Sequence, residues 1–345
     1  MTFVHNFFYY FFLICGILLI TITALSLLNA WHWYFKILNF PRVATLIAML
    51  VCLLFYVLLS ENKSAFSLIV TGSIVVAIII QCYIIFPYTP FAQKKVASAK
   101  ASEVSKESIL SIVVANVLMK NREAKGLLKM IDDKDPTFVL TMEVNERWEN
   151  DLKILEKKYP HQIMFPTDNT YGMFLYSKHP LSNKEILFLH NDSVPSFHCH
   201  VTMPGDKTFQ LLTIHPVAPK PSEHPDNMGE KEKGLVKAGR LIAGLQLPAI
   251  VAGDFNDVGW SYNTGEFEEV SKLNDVRRGR GLYNTFSAKS LIFKWPLDYV
   301  YVSKEFKVLE IERLSAFGSD HYPLYVQLTF NPGIFHSPLI PLHRN

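Results

Sequence analysis

The chain has 345 residues, is 49% hydrophobic and 13% aromatic, and carries a formal net charge of +3. That length holds one large domain or two small ones, and the aromatic share is high for a soluble enzyme. Before Lys94 the only Asp, Glu, Lys or Arg side chains are Lys36, Arg42, Glu61 and Lys63; the rest has nearly equal numbers of cations and anions, unlike the basic excess of a general nucleic-acid binder.

Three runs, Phe7–Ala30, Val43–Ser60 and Ala65–Phe86, each approach the roughly 20 apolar residues that cross a hydrocarbon core. The first lacks a basic n-region, is too long for a signal peptide and is followed by two further spans. Residues 1–90 therefore read as a three-helix anchor of a multi-pass membrane protein. With three crossings, the loop holding Lys36 and Arg42 shares a side with Lys94, Lys95 and Lys100, and the positive-inside rule puts the following domain in the cytoplasm. Cys15, Cys52 and Cys82 lie in the apolar runs and Cys199 stands alone beyond them, so no disulfide forms within that domain, as in a reducing compartment.

Residues 91–108 turn to Lys, Ala, Ser and Glu and read as a juxtamembrane linker. Residues 109–331 read as one domain, and 332–345, with Pro332, Pro338 and Pro341, as an irregular tail. Within the domain the pattern predicts a strand at Ser111–Val117, an amphipathic helix at Arg122–Ile131 and a buried strand at Thr137–Val144. A helix follows over Glu146–Lys158, with Trp148, Leu152 and Leu155 on one face. Strand-like runs come at Gly172–Tyr176, Glu185–Leu189, Phe197–Met203 and Phe209–Ile214, then a helix at Lys233–Leu245 and an apolar strand at Pro248–Ala252. Leu297–Val302, Val308–Leu314 and Tyr322–Phe330 complete the set. Locally paired strands with interspersed helices point to mixed sheets packed face to face between helices.

Several strand ends carry chemistry. Val113-Val114-Ala115-Asn116 ends on an amide, Thr141-Met142-Glu143 on a carboxylate and Thr213-Ile214-His215 on an imidazole. Gly253-Asp254-Phe255-Asn256 ends on an acid and an amide; pleat alternation aims Asp254 and Asn256 the same way and turns Phe255 into the core. Asp298 opens a strand, and Ser319-Asp320-His321 precedes the last one. Each alone is ordinary. Together they are oxygen-rich and free of thiolate, a donor set for a hard divalent ion such as Mg²⁺ or Mn²⁺ and for phosphoryl chemistry.

With these motifs in this order, residues 111–330 resemble the endonuclease/exonuclease/phosphatase superfamily, which includes pancreatic DNase, abasic-site endonucleases, neutral sphingomyelinases and inositol polyphosphate 5-phosphatases. The resemblance implies an α/β four-layer sandwich of two mixed β-sheets flanked by helices, here preceded by three transmembrane helices. It implies that Glu143 is the principal metal ligand, with Asn116 and Asp320 close to the same ion. Asp254 matches the acid that activates water, Asn256 the amide that holds the phosphate, and His321 the imidazole on the scissile phosphate, oriented by Asp298. His215 is similar to a second phosphate-facing histidine of the DNase and sphingomyelinase branches. A three-span anchor ahead of such a domain resembles a bacterial branch of small teicoplanin-resistance membrane proteins, in which the domain faces outward; that conflicts with the charge count and leaves the side open.

Trp260 reads either as a pocket wall or as core, and the loop His215–Lys231 either as a substrate-selecting loop or as a solvated one. The expected function is a membrane-anchored, divalent-metal-dependent phosphoesterase acting on a phosphodiester, phosphomonoester or pyrophosphate, with a lipid-linked substrate fitting the anchor. A metal-dependent nuclease is the enzymatic alternative, disfavoured by the near-neutral domain. A non-catalytic membrane scaffold of the same fold is the other.

Overall fold

The computed structural model describes residues 2–28, 32–61, 64–100, 102, 104–189, 192–219 and 234–331. The expected tail, and the loop after His215 from residue 220 onward, lie outside them.

Three helices, α1 (Thr2–Ser26), α2 (Arg42–Leu59) and α3 (Ala65–Ile85), are long and apolar enough to cross a membrane. Met49, Tyr56 and Ile74 are buried where they pack together, while Leu and Phe side chains such as Phe3, Leu58 and Leu68 face outward. The first helix begins nearer the amino terminus than the hydrophobic pattern predicts, because Thr2 and the residues up to Asn6 continue its hydrogen-bonded turns. Arg42 is buried at the start of α2: its guanidinium donates to Gln81 Oε1 of α3 at 3.1 Å and to the Ser26 carbonyl of α1 at 3.1 Å. It is a packing group joining three helices rather than a solvated flanking charge, so it carries little weight in the charge count that favoured a cytoplasmic domain.

After α3 the chain is fastened along the domain. The Tyr88 hydroxyl donates to the Gly259 carbonyl, Gly279 N–H donates to the Pro87 carbonyl, and Val96 is buried in the core between the sheets. Ser98 forms an isolated parallel bridge with Val308.

The domain comprises β1 (Ile109–Asn116), α4 (Ala124–Lys134), β2 (Phe138–Met142), α5 (Glu146–Leu152), β3 (His161–Phe165), β4 (Met173–Ser177), β5 (Leu181–Leu187), β6 (Ser196–Met203) and β7 (Lys207–Ile214). It continues through α6 (Gly234–Gly244), β8 (Ala249–Asp254), α7 (Tyr262–Ser271), β9 (Asn274–Asp275), β10 (Asp298–Val302), β11 (Phe306–Arg313) and β12 (Leu324–Phe330). These form two six-stranded sheets, ordered β11-β12-β1-β2-β4-β3 and β5-β6-β7-β8-β10-β9. Each is mixed: β1 and β2 run parallel, as do β7 and β8, and the other pairs are antiparallel.

The four layers follow from strands that are apolar on both faces. In β1, Ile112 and Val114 point into the core between the sheets, while Val113 and Ala115 pack under α4 and α5. In β8, Ile250 and Ala252 join the same inter-sheet core, while Ala249 and Val251 pack under α6 and α7. Each such Val, Leu or Ile contributes about 1.5–3 kcal/mol by burial. The structure thus has the expected four-layer arrangement.

The helix expected over Glu146–Lys158 is α-helical only to Leu152 and tightens into a 3₁₀ turn over Lys153–Lys157. Strand β3 and helix α7 have no counterpart in the sequence reading. β3 is an edge strand that buries only Ile163, so it shows no clear alternation. The α7 sequence YNTGEFEEVS is short of apolar residues, and its start is marked only by Ser261, whose hydroxyl accepts from Thr264 N–H.

Gly253 of β8 pairs with Ile214 of parallel β7. Its φ is +150°, and a Cβ there would lie 1.9 Å from the Ile214 carbonyl oxygen. That contact is backbone and cannot swing away, so Gly253→Ala should destabilise the domain by about 3 kcal/mol or more. A thermal melt of the purified protein should show its midpoint lowered by roughly 6 °C or more; an unchanged midpoint would show that the two strands can separate there at little cost.

Candidate active site

Because β1/β2 and β7/β8 are the parallel pairs of two facing sheets, their carboxyl ends meet at one edge of the sandwich. Asn116 ends β1, Glu143 follows β2, His215 follows β7 and Asp254 ends β8. Asp298 opens antiparallel β10 directly opposite Asp254. The residues that the sequence scatters over two hundred positions are here neighbours.

One amide links the two sheets. Asn116 Nδ2 donates to Glu143 Oε1 at 2.9 Å and to Asp254 Oδ2 at 3.1 Å, while its Oδ1 accepts from Leu118 N–H. His321 lies between two acids: its Nδ1 is 2.8 Å from Asp298 Oδ2 and its Nε2 3.6 Å from Asp254 Oδ2. His215 is buried with its Nε2 3.9 Å from the same Asp254 oxygen. The backbone N–H of Asn256 donates to Asp254 Oδ1 at 2.8 Å, and its side-chain amide donates to the Pro216 carbonyl. As expected, Phe255 turns away from the site, into the cluster with Phe267, Tyr299 and Tyr301. Glu143 and Asn256 both adopt left-handed backbone conformations, φ 62° and 49°. Asparagine tolerates that region, whereas for glutamate it is strained, as backbone at functional sites often is.

Burial sets the electrostatics. It raises the Asp254 carboxyl, with Asp298 adding to the rise and the His321 and His215 imidazoles opposing it. Burial also raises Glu143; the Asn116 amide and His321 pull it down, and the Asp320 carboxylate pushes it up again. Burial alone would keep His321 neutral, but Asp298 and Asp254 beside it lift its pKa to about 10. The imidazole is therefore a cation at neutral pH.

Glu143, Asn256, Asp320 and His321 line one end of an open cleft of about 620 Å³. Asp298 is fully buried behind His321. The donors around the cleft are carboxylates, amides and imidazole, and Cys199 is buried between the sheets, away from them. A half-buried Glu143 whose charge is opposed by Asp320 is the electrostatic setting that a hard divalent cation relieves. Ligand atoms of Asp254, Asp298 and His321 also lie within 4.8 Å of one another, close enough to hold a metal ion.

Several supporting residues escape sequence reading. Ser319 Oγ donates to the Asn116 carbonyl at 2.8 Å and accepts from His321 N–H, tying the last loop to β1. Thr285 Oγ1 accepts the N–H groups of Leu297 and Asp298. The Tyr171 ring stands 5.4 Å from that of His215. A Ser or Thr hydroxyl bound to backbone leaves no pattern in a single sequence; Tyr171, in an Asn-Thr-Tyr-Gly turn, has none either. Trp260 proves to be a junction residue: its Nε1 donates to the Asn39 carbonyl, ahead of α2, and its ring packs edge-on to Tyr88.

Arg277 is wholly buried, donates to both Asp275 oxygens and to the Asp298 carbonyl, and stacks 3.7 Å from the Tyr299 ring centroid. Arg277→Met should cost about 3–5 kcal/mol by leaving Asp275 buried and uncompensated. Chemical denaturation should show that loss in the single variant and its partial recovery in Arg277→Met/Asp275→Leu. No recovery in the double variant would mean that the stacking on Tyr299, not the ion pair, is what matters.

The domain is thus a sandwich of two mixed sheets with a cluster of acids, amide and imidazoles at one edge. The profile of the endonuclease/exonuclease/phosphatase family matches residues 113–321, and the chain belongs to that family. No curated protein sequence matches the chain significantly. Among solved structures it resembles the human Nocturnin catalytic domain with bound sulfate, at 17% identity and TM-score 0.53, over 69% of this chain and 98% of that one. It resembles Danio rerio TDP2 complexed with single-strand DNA product at 16% and 0.51, over 64% and 99%. A Bacteroides vulgatus endonuclease/exonuclease/phosphatase matches at 18% and 0.52, over 65% and 100%. At these identities the likeness is one of fold.

Proposed function

We propose that this protein is a membrane-anchored, divalent-cation-dependent hydrolase of phosphate esters. The observation that carries the reading is the single hydrogen-bonded cluster in which Asn116 joins Glu143 to Asp254 while His321 stands between Asp254 and Asp298. Glu143 and Asp320, with Asn116 beside them, would hold a Mg²⁺ or Mn²⁺ ion. When bound, the cation neutralises phosphate charge and polarises the P–O bonds.

The chain's own groups supply the rest. Asp254, its basicity raised by burial, takes a proton from water as the water oxygen bonds to phosphorus. The ester P–O bond breaks on the far side, and the departing oxygen is protonated from solvent. The His321 imidazolium, held by Asp298, faces the charge that builds on the phosphoryl oxygens, as do the Asn256 amide and His215.

Full-length protein in detergent, given Mg²⁺ with p-nitrophenyl phosphate, bis-p-nitrophenyl phosphate, pyrophosphate or plasmid DNA, should hydrolyse at least one phosphate ester and stop with EDTA. Turnover that survives EDTA, or Mg²⁺ binding without turnover of any substrate, would sink the reading. Preference for the plasmid would mark the protein as a nuclease instead.

A further inference from the structure

The catalytic cleft is not built by the catalytic domain alone. Its wall includes Ile37, Phe40 and Pro41, which belong to the segment joining α1 to α2. Phe40 is buried against Val258 and Leu297 and meets the Trp295 ring edge-on at 5.5 Å. The membrane anchor therefore furnishes an apolar side of the active site.

That apolar side continues outward. A second cavity of about 420 Å³ shares Phe40, Pro41, Phe293 and Trp295 with the cleft, and runs on between the first turns of α2, at Ala44 and Ile47, and the loop at Leu291 and Ile292. The two together make one path from the carboxylates to the flank of an apolar helix long enough to cross a membrane.

The loop itself is unlike the surface of a soluble enzyme. Leu291 is 94% exposed, Ile292 74% and Phe293 55%. Ser290 Oγ accepts the N–H groups of Ile292 and Phe293, fixing a turn whose side chains point outward. Three consecutive large apolar residues beside a candidate membrane helix, with Lys289 exposed next to them, have the make-up of a segment that dips into a bilayer interface.

We propose that the substrate is the phosphate ester of a long-chain amphiphile that stays in the bilayer while it is hydrolysed. Its phosphate sits at Glu143, Asn256 and His321. Its hydrocarbon chain leaves between Phe40–Pro41 and Phe293–Trp295 and lies along α2, while Leu291–Ile292–Phe293 is immersed beside it. This substrate class rests on the phosphoesterase reading above, but the path for the chain can be tested without turnover.

Full-length protein in lipid nanodiscs is titrated calorimetrically with non-hydrolysable n-alkylphosphonates from methyl to octyl in the presence of Mg²⁺, with empty nanodiscs as the blank. Each added CH₂ buried in the path should tighten binding about two- to fourfold. Leu291→Ser/Ile292→Ser/Phe293→Ser in one chain, and separately Trp295→Ala, should flatten that dependence. Equal affinity for all chain lengths, or a dependence that neither variant alters, overturns the proposal. Absence of hydrolysis with every ester, alongside a preserved chain-length series, would instead overturn the phosphoesterase reading and leave an amphiphile-binding site.

Discussion

Asp254→Asn should lower kcat for a phosphate ester by about 10³–10⁴-fold with little change in KM. The substitution keeps the shape of the side chain but removes its charge and its basicity. Asp254 has each oxygen committed: Oδ1 accepts from Asn256 N–H, and Oδ2 accepts from Asn116 and faces both imidazoles. An asparagine satisfies only one of these demands, because whichever way it turns, an NH₂ group meets another donor. The water then has no base. His321 also loses one of the carboxylates that keep it protonated, so the same change weakens the positive charge facing the phosphate. Steady-state kinetics, with a thermal melt as the folding control, would decide the matter. A folded variant that keeps more than a tenth of the wild-type kcat would remove Asp254 from the role of base.

The same residue shows how far a single sequence reaches. Strand alternation and the abrupt change from apolar to polar residues at Gly253-Asp254-Phe255-Asn256 are enough to place an acid at a strand end and a phenylalanine in the core. The four layers were implied by the family resemblance, and the structure gives their physical reason, because β1 and β8 are apolar on both faces. What the strand pattern does not give is the register in space. That Asn116 reaches across from one sheet to Asp254 in the other depends on how the sheets pack, and on Gly253 letting β8 close on β7. The edge strand β3 and helix α7 were illegible because each buries too little on one face to leave a period. Phe40 was illegible for another reason: in the sequence it belongs to a loop between apolar spans, and only docking of the segment between α1 and α2 onto Trp295 and Leu297 makes it part of the cleft.

Two carboxylates compete for the role of principal cation ligand, and paired substitutions separate them. Glu143 faces the open cleft beside Asp320, whereas Asp298 is sealed behind His321 with its Oδ2 already held at 2.8 Å by the imidazole. A hard cation keeps several water ligands and needs room for them, which the Glu143 side offers. Glu143→Gln should therefore weaken Mg²⁺ binding by about ten- to a hundredfold or more, and lower the rate in step at limiting metal. Asp298→Asn should leave Mg²⁺ affinity nearly unchanged and act on the rate instead, by roughly 10²–10⁴-fold. The reason is that His321 would lose the acid that orients it and the larger source of its positive charge. Isothermal titration of each variant with Mg²⁺, set beside its kcat at saturating metal, reads the two effects independently. Were Asp298→Asn to abolish cation binding and Glu143→Gln to spare it, the buried Asp254, Asp298 and His321 group would be the metal site. Glu143, strained backbone included, would then hold substrate rather than metal.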